Sequence, residues 1–139
     1  MALQNVYGTA GSMPDLISNG LFTQGTQGWT VGANWALTES PAKGILHTAG
    51  AVEAISVTAA PVTVTTVTYN IRFTVANLTA GDLTVTAGAG DVTTLVVDAN
   101  GTFNYETVFL TDGVISFTPS TDFDGSVHAV VVRALKIQP

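Results

Sequence analysis

The sequence predicts an all-β fold: a two-sheet antiparallel jelly-roll sandwich with an extended N-terminal arm. Thr and Val are abundant, with 22 and 18 of the 139 residues, and their branched side chains fit a pleated sheet. Short runs alternate between apolar and polar residues, and Gly, Pro, Asn and Asp separate these runs. About nine or ten strands at intervals of roughly 8–12 residues are typical of a sandwich or barrel. No window combines helical periodicity with helix caps.

The clearest strand covers residues 66–75. Its apolar side chains are Val67, Tyr69, Ile71, Phe73 and Val75, and they alternate with Thr66, Thr68, Asn70, Arg72 and Thr74. Such alternation indicates a strand with one buried and one solvated face. Further strands are predicted at 83–87, 92–97, 102–110, 114–118 and 126–137. Asn100-Gly101 predicts a hairpin before the third of these.

The N-terminal half is less regular, with strands predicted at 15–22, 28–31, 34–38, 43–48 and 52–59. Residues 1–14 contain turn-forming Gly and Pro with only isolated apolar residues, namely Leu3, Val6 and Tyr7. We interpret 1–14 as an arm and 15–139 as one jelly-roll domain. Such arms are either frayed or docked on a neighbour, and the apolar side chains favour docking.

Composition points to assembly with other chains. Only 10% of residues are charged, against a usual quarter, and the mean hydropathy is +0.39. No stretch approaches the ~18–20 apolar residues of a membrane helix, and no basic segment leads into an apolar run as in a signal peptide. An apolar, charge-poor chain of this kind is expected to bury surface in a subunit interface.

The charge balance argues against nucleic acid and anionic membranes as partners. The net charge is −6, and Lys43, Arg72, Arg133 and Lys136 are the four cations. Four scattered cations cannot neutralise a row of phosphates. Because the chain has no cysteine, it has neither disulfides nor cysteine metal sites, which fits assembly in a reducing cytosol.

No pattern in the sequence predicts catalysis or a cofactor. His47 and His128 are far apart, have no metal-ligand spacing, and are predicted to lie at the surface or at strand ends. Ser126 is near His128, but no acid is placed to orient the ring as in a triad. Glu39, Glu53 and Glu106 lie on different predicted elements, so no pair matches glycosidase chemistry. We therefore predict no enzyme activity and no bound cofactor or metal.

Several motifs together resemble the carbohydrate-binding-module jelly rolls. Asn19-Gly20-Leu21-Phe22 is followed by Gly28-Trp29, as at the opening of that family. His47 to Gly50, Thr68 to Leu83, and Ile115 to Leu135 with its Phe123-Asp124-Gly125 turn are similar to later parts of it. The resemblance covers about 15–137 and implies the jelly-roll fold, with Trp29 in the core.

This variety of the family looks most like modules of tailed-phage virion proteins. The resemblance implies a homotrimeric capsid decoration or cement protein that binds the major capsid protein on the exterior of the virion. A carbohydrate-binding module, free or in a tail fibre, is the alternative, and a bacterial adhesin or surface-layer fragment is a third hypothesis. Many sugar-binding relatives hold Ca²⁺ at positions occupied here by Thr23 and His128, which are poor calcium ligands, so that site is expected to be lost.

Candidate contact residues follow from these hypotheses. Val130, Val131 and Val132 are consecutive, which predicts burial on both faces of the last strand, and we assign them with Leu3, Val6 and Tyr7 to capsid or oligomer contacts. Trp35 and Tyr105 are the candidate glycan contacts, because sugar faces stack on aromatic rings. Trp35 alternates with Leu37, a pattern that favours the core over an exposed platform. Asp122 and Asp124 flank Phe123 and are expected to turn the chain rather than bind a cation.

Overall fold

The described residues form a sandwich of two five-stranded antiparallel sheets. The computed structural model describes residues 17, 19–57, 68–87, 94–108 and 115–134. Within these ranges the strands are β1 Trp29–Val31, β2 Trp35–Thr38, β3 Gly44–His47, β4 Ile55–Val57, β5 Thr68–Ala80, β6 Leu83–Ala87, β7 Thr94–Val97, β8 Gly101–Val108, β9 Ile115–Pro119 and β10 Asp124–Ala134. The first sheet has the order β1-β4-β9-β6-β7 and the second the order β2-β3-β10-β5-β8. The predicted all-β, two-sheet fold is confirmed.

The core lies between the inward faces of the two sheets. On β5, Tyr69, Ile71, Phe73 and Val75 are all buried, as their alternation predicts. Phe73 meets Phe117 of β9 edge-on, with ring centroids 5.3 Å apart, and this contact joins the two sheets. Edge-to-face aromatic pairs contribute about 0.5–1.5 kcal/mol beyond the area that they bury.

The predicted strand 15–22 is wrong over its described residues, 17 and 19–22, because Asn19 turns the chain there. Its side-chain nitrogen donates to the Gly25 and Gln27 carbonyls, both at 2.9 Å, and its side-chain oxygen accepts from the Gln24 amide. Its backbone carbonyl accepts from Trp29 Nε1 at 3.0 Å. Asn19 is 4% exposed, so a single buried amide holds the loop that leads into β1.

Gly20 brings this turn against β10. Its carbonyl accepts a hydrogen bond from the Val130 amide at 2.9 Å. A Cβ atom on Gly20 would overlap the Val130 carbonyl oxygen, so a side chain cannot be accommodated. The Asn-Gly pair therefore docks the N-terminal turn on the last strand.

A β-bulge in β10 corrects the interpretation of the three consecutive valines. His128 pairs with Thr74 and Val131 pairs with Arg72, so Ala129 and Val130 together oppose Phe73. Ala129 adopts a positive φ of 52°, and after the bulge the alternation of inward and outward side chains is shifted by one residue. Val130 and Val132 are consequently buried in the domain's own core, while Val131 is half-buried on the outward face. The run does not require a partner subunit to cover both faces.

The hairpin predicted at Asn100-Gly101 is also wrong. β7 belongs to the first sheet and β8 to the second, so this dipeptide lies in a crossover between sheets. Gly101 has a φ of 147°, and the Asn100 side-chain oxygen accepts from the Leu78 amide at 2.9 Å. The backbone freedom that makes Asn-Gly favourable in hairpins serves here to change sheets.

The predicted arm, residues 1–14, lies outside the described residues, as do Leu3, Val6 and Tyr7. The division into arm and domain stays a prediction. Among the described residues, no helix is long and apolar enough to cross a membrane.

Asn19→Ala is expected to lower the free energy of unfolding by about 2–3 kcal/mol, because three backbone groups of the loop lose their hydrogen bonds to the buried Asn19 side chain. Urea denaturation followed by tryptophan fluorescence measures the change. Thr23→Ala, at an exposed position of the same loop, should stay within about 0.5 kcal/mol of the wild type. Equal effects of the two substitutions would show that the amide does not organise the loop.

Candidate ligand-binding face

The two predicted glycan contacts are packed against the core. Trp35 is 7% exposed, its Nε1 donates to the Glu53 carbonyl at 2.8 Å, and its ring lies 4.8 Å from that of His47. Tyr105 is half-buried and packs against the core from the inward side of β8. Neither ring forms an exposed platform, so the core alternative that the sequence favoured for Trp35 is confirmed.

The prediction that each histidine lies at the surface or at a strand end is confirmed for His47, which ends β3, and wrong for His128, which is buried within β10. His47 ends β3 but is fully buried, with its ring packed against Trp35 and Phe123 and its Nδ1 2.8 Å from the Phe123 carbonyl. Within the described residues, its Nε2 is buried without a hydrogen-bond partner. His128 is 4% exposed and sits on the outward side of β10.

His128 belongs to a covered polar cluster with Ser126 and Asn77. His128 Nε2 lies 2.7 Å from Ser126 Oγ, and Asn77 donates to the same oxygen at 3.1 Å. Ser126 Oγ donates to the Ala76 carbonyl at 3.0 Å. Ser126 is fully buried, so its hydroxyl reaches no substrate in this arrangement, although it contacts an imidazole.

This cluster fixes the loop between β2 and β3 over the outward side of the second sheet. Asn77 donates to the Ser40 carbonyl at 2.8 Å, and His128 Nδ1 lies 3.0 Å from the Lys43 carbonyl. A Cβ atom on Gly44 would overlap the His128 ring, so the approach requires glycine. Residues 39–43 therefore form a wall at one end of the sheet.

Beyond this wall, the outward side of the second sheet carries mainly polar side chains. The register pairs Asn70 with Glu106, Arg72 with Asn104, and Thr74 with Thr102. It also pairs Val131 with Arg72, and Arg133 with Asn70. Directly opposed residues point to the same side, away from the buried Ile71 and Phe73. We call this surface the polar face: Asn70, Arg72, Thr74, Thr102, Asn104, Glu106, Val131 and Arg133.

The polar face concentrates hydrogen-bonding groups on three adjacent strands. Arg72, Thr102, Asn104 and Glu106 are exposed. Guanidinium groups only donate, carboxylates only accept, and amides do both. Thr74 and Thr102 already bond to each other at 2.9 Å, which leaves the amides and charged groups as the main groups for a ligand. The face is therefore suited to a ligand rich in hydroxyl or other polar groups.

A concavity separate from the polar face lies where the β5–β6 turn meets the β7–β8 crossover. It has a volume of about 430 Å³, and its lining residues are Leu78, Thr79, Ala80, Gly81, Asp98, Ala99 and Asn100. This volume is at the lower end of typical small-molecule sites. Asn100 is already bonded to the Leu78 amide, and Thr79 Oγ1 donates to the Asp124 carbonyl at 3.5 Å, so Asp98 is the remaining polar side chain of the concavity.

The described residues contain no group of three or more His, Asp or Glu side chains placed to hold a metal ion. Of the two positions at which many sugar-binding modules hold Ca²⁺, Thr23 is exposed and His128 is held in its cluster. Asp122 accepts from Ser120 Oγ at 2.8 Å within the turn at Ser120–Phe123. This contact fits the predicted turn-forming role of the Asp122–Asp124 segment.

The sequence analysis did not predict the polar face, although some of its residues lie on the clearest predicted strand. Asn70, Arg72 and Thr74 are the polar positions of the best alternating strand. The residues that flank them come from β8 and β10, and only the register of the folded sheet shows which residues these are.

Comparison with known proteins establishes the fold. No family model and no curated protein matches the sequence. The structure is similar to an arabinose-bound α-L-arabinofuranosidase, MgGH51, with a TM-score of 0.65 and 13% identity, over 94% of this chain but 28% of that one. It is also similar to a family 16 carbohydrate-binding module, with a TM-score of 0.54 and 15% identity, over 89% and 98% of the two chains. The predicted likeness to carbohydrate-binding modules is thus confirmed as a likeness of fold.

Asn77→Gly tests how the 39–43 loop is held. Glycine tolerates the φ of 57° at this position, so the change removes the amide without backbone strain. Loss of the bond to the Ser40 carbonyl should accelerate tryptic cleavage after Lys43 by roughly 5- to 10-fold, as measured by mass spectrometry.

Asn34→Gly is the matched control, because Asn34 also has a positive φ and its side chain bonds to carbonyls of another loop. Its cleavage rate after Lys43 should equal that of the wild type. Equal acceleration in both variants would mean that general destabilisation, and not release of the loop, exposes Lys43.

Proposed function

We propose that the domain is a non-catalytic glycan-binding module whose ligand lies on the polar face. The observation that carries the proposal is the set of exposed amide and charged side chains on one side of a fold similar to that of carbohydrate-binding modules. Sugar hydroxyls both donate and accept hydrogen bonds, and the face offers both kinds of partner.

The binding mode differs from aromatic stacking. Within the described residues Trp29 and Trp35 are core side chains, and the polar face has Val131 as its apolar member. Affinity then depends mainly on hydrogen bonds fixed by neighbouring strands, whose rigid spacing reduces the entropy lost on binding. Asn104 is the best single probe, because it is exposed and stands directly opposite Arg72.

The experiment is a glycan array followed by calorimetry on the glycans that bind. Asn104→Ala should weaken binding by about 5- to 10-fold, the effect of one lost hydrogen bond. Gln24→Ala, an exposed amide on the β1 side, should leave the affinity unchanged. Binding that survives Asn104→Ala but is lost in Asp98→Asn would move the ligand to the 430 Å³ concavity and contradict the proposal.

Capsid decoration is the second candidate, and the composition of the surface favours it. Leu21, Leu37, Val52 and Val96 are each more than half exposed, in a chain with few charges. Leu37 and Val96 lie on β2 and β7, each at the end of its sheet order. In this proposal the protein is a homotrimer on the exterior of a phage virion and buries these side chains, with residues 1–14, against itself and the major capsid protein.

Val130 and Val132 no longer support the assembly hypothesis, since the domain's own core buries them. The exposed apolar side chains remain as its support, because burial of apolar surface stabilises by about 25 cal/mol per Å².

Light scattering on the purified protein should show a trimer if the second candidate is right. The double substitution Leu37→Ser and Val96→Ser should shift it towards monomer, and deletion of 1–14 should abolish attachment to capsids. A folded monomer at high concentration, or unchanged occupancy on capsids after the deletion, would contradict capsid decoration.

A further inference from the structure

The charge of the polar face is opposite to that of the whole chain. The net charge is −6, but Arg72 and Arg133 are on the polar face, together with Glu106 as its one carboxylate. Six of the seven carboxylates in the described residues lie outside it: Glu39, Glu53, Asp82, Asp98, Asp122 and Asp124. The third cation of the described residues, Lys43, is already paired with Glu39 at 3.5 Å. Among the described residues, positive charge thus gathers on the polar face.

The two arginines stand on neighbouring strands as diagonal partners. Val131 faces Arg72, and Arg133 faces Asn70, two residues along β5. Diagonal neighbours in an antiparallel pair are roughly 7–8 Å apart, within reach of long side chains. Asn70 and Asn104 flank Arg72 along its own strand and across to β8. A guanidinium group binds a carboxylate through two parallel hydrogen bonds, and the flanking amides can bind adjacent hydroxyls.

We infer that the polar face selects an acidic glycan, one whose sugar units carry carboxylates, as in a polymer of uronic acids. The inference rests on the proposed glycan-binding function and specifies its ligand class. Arg72 is the anchor for a carboxylate, since it is exposed and central on the face. Glu106 lowers the affinity for an anionic ligand, because its carboxylate stands diagonal to Arg72 and repels the negative charge of the ligand.

The first experiment compares an oligogalacturonate of defined length with its methyl ester by calorimetry. The two share one sugar backbone and differ in charge, so the free acid should bind at least ~10-fold more tightly. Raising the salt concentration should weaken binding of the acid and leave that of the ester unchanged. Equal affinity for both forms would overturn the inference and leave the glycan-binding proposal intact, whereas a glycan array without any bound sugar would overturn both.

The second experiment tests whether the positive charge of Arg72 in particular binds the ligand. Arg72→Gln should weaken binding of the oligogalacturonate by ~10-fold or more, while Lys43→Gln, an equal loss of charge at a residue already paired with Glu39, should change it less than twofold. Equal losses in the two variants would show that net charge alone attracts the ligand and would overturn the assignment.

The third experiment removes a negative charge from the polar face in place of a positive one. Glu106→Gln should tighten binding of the oligogalacturonate by about 2- to 5-fold, because it removes a like charge beside the ligand. Asp98→Asn makes the same change in net charge on the β7–β8 crossover and should have no effect. Weaker binding by Glu106→Gln would mean that Glu106 accepts hydrogen bonds from a neutral sugar, and this result would overturn the inference. Far-ultraviolet circular dichroism checks that each variant is folded.

Discussion

The hydrogen bond between the Val130 amide and the Gly20 carbonyl is the contact on which the second sheet depends. It lies at the bulge in β10, where Ala129 takes a positive φ and Val130 turns its amide away from β5. The bulge leaves this amide without a partner in the β5 ladder, and the N-terminal turn supplies one. The buried Asn19 amide holds that turn, so two segments more than 100 residues apart stabilise each other.

The same bulge creates the polar face. With regular alternation from the buried Val127, positions 131 and 133 would point into the core. The extra residue places Val130 and Val132 inside instead, and Val131 and Arg133 outside beside Arg72. A local irregularity of the backbone therefore fills the core with valine and also brings a second arginine to the surface. The bulge in β10 therefore contributes both to the stability of the domain and to the proposed ligand contacts.

Much of the fold could be predicted from local sequence patterns, and the exceptions have physical causes. The alternation of β5 is visible because its apolar and polar sides are both continuous. The bulge is not visible, since Val130 to Val132 look the same whether a partner covers them or the strand shifts phase. Asn100-Gly101 permits a tight hairpin and a crossover equally, and only the pairing of β8 with β5 decides between them. His47 and His128 have polar side chains, which predicts exposure, but the fold buries them because aromatic rings and the 39–43 loop cover them. The polar face was out of reach for a similar reason: its members come from three strands that are distant in sequence.

The strand order has a consequence for biosynthesis. β10 is the last described strand, yet it lies between β3 and β5, and β9 likewise lies between β4 and β6. A ribosome delivers the other described strands of each sheet first, and β9 and β10, which complete the first and the second sheet, come after them. Until they arrive, β3, β5 and their counterparts have unpaired edges that could join other chains. The polypeptide can therefore complete its two sheets only after β9 and β10 have emerged from the exit tunnel.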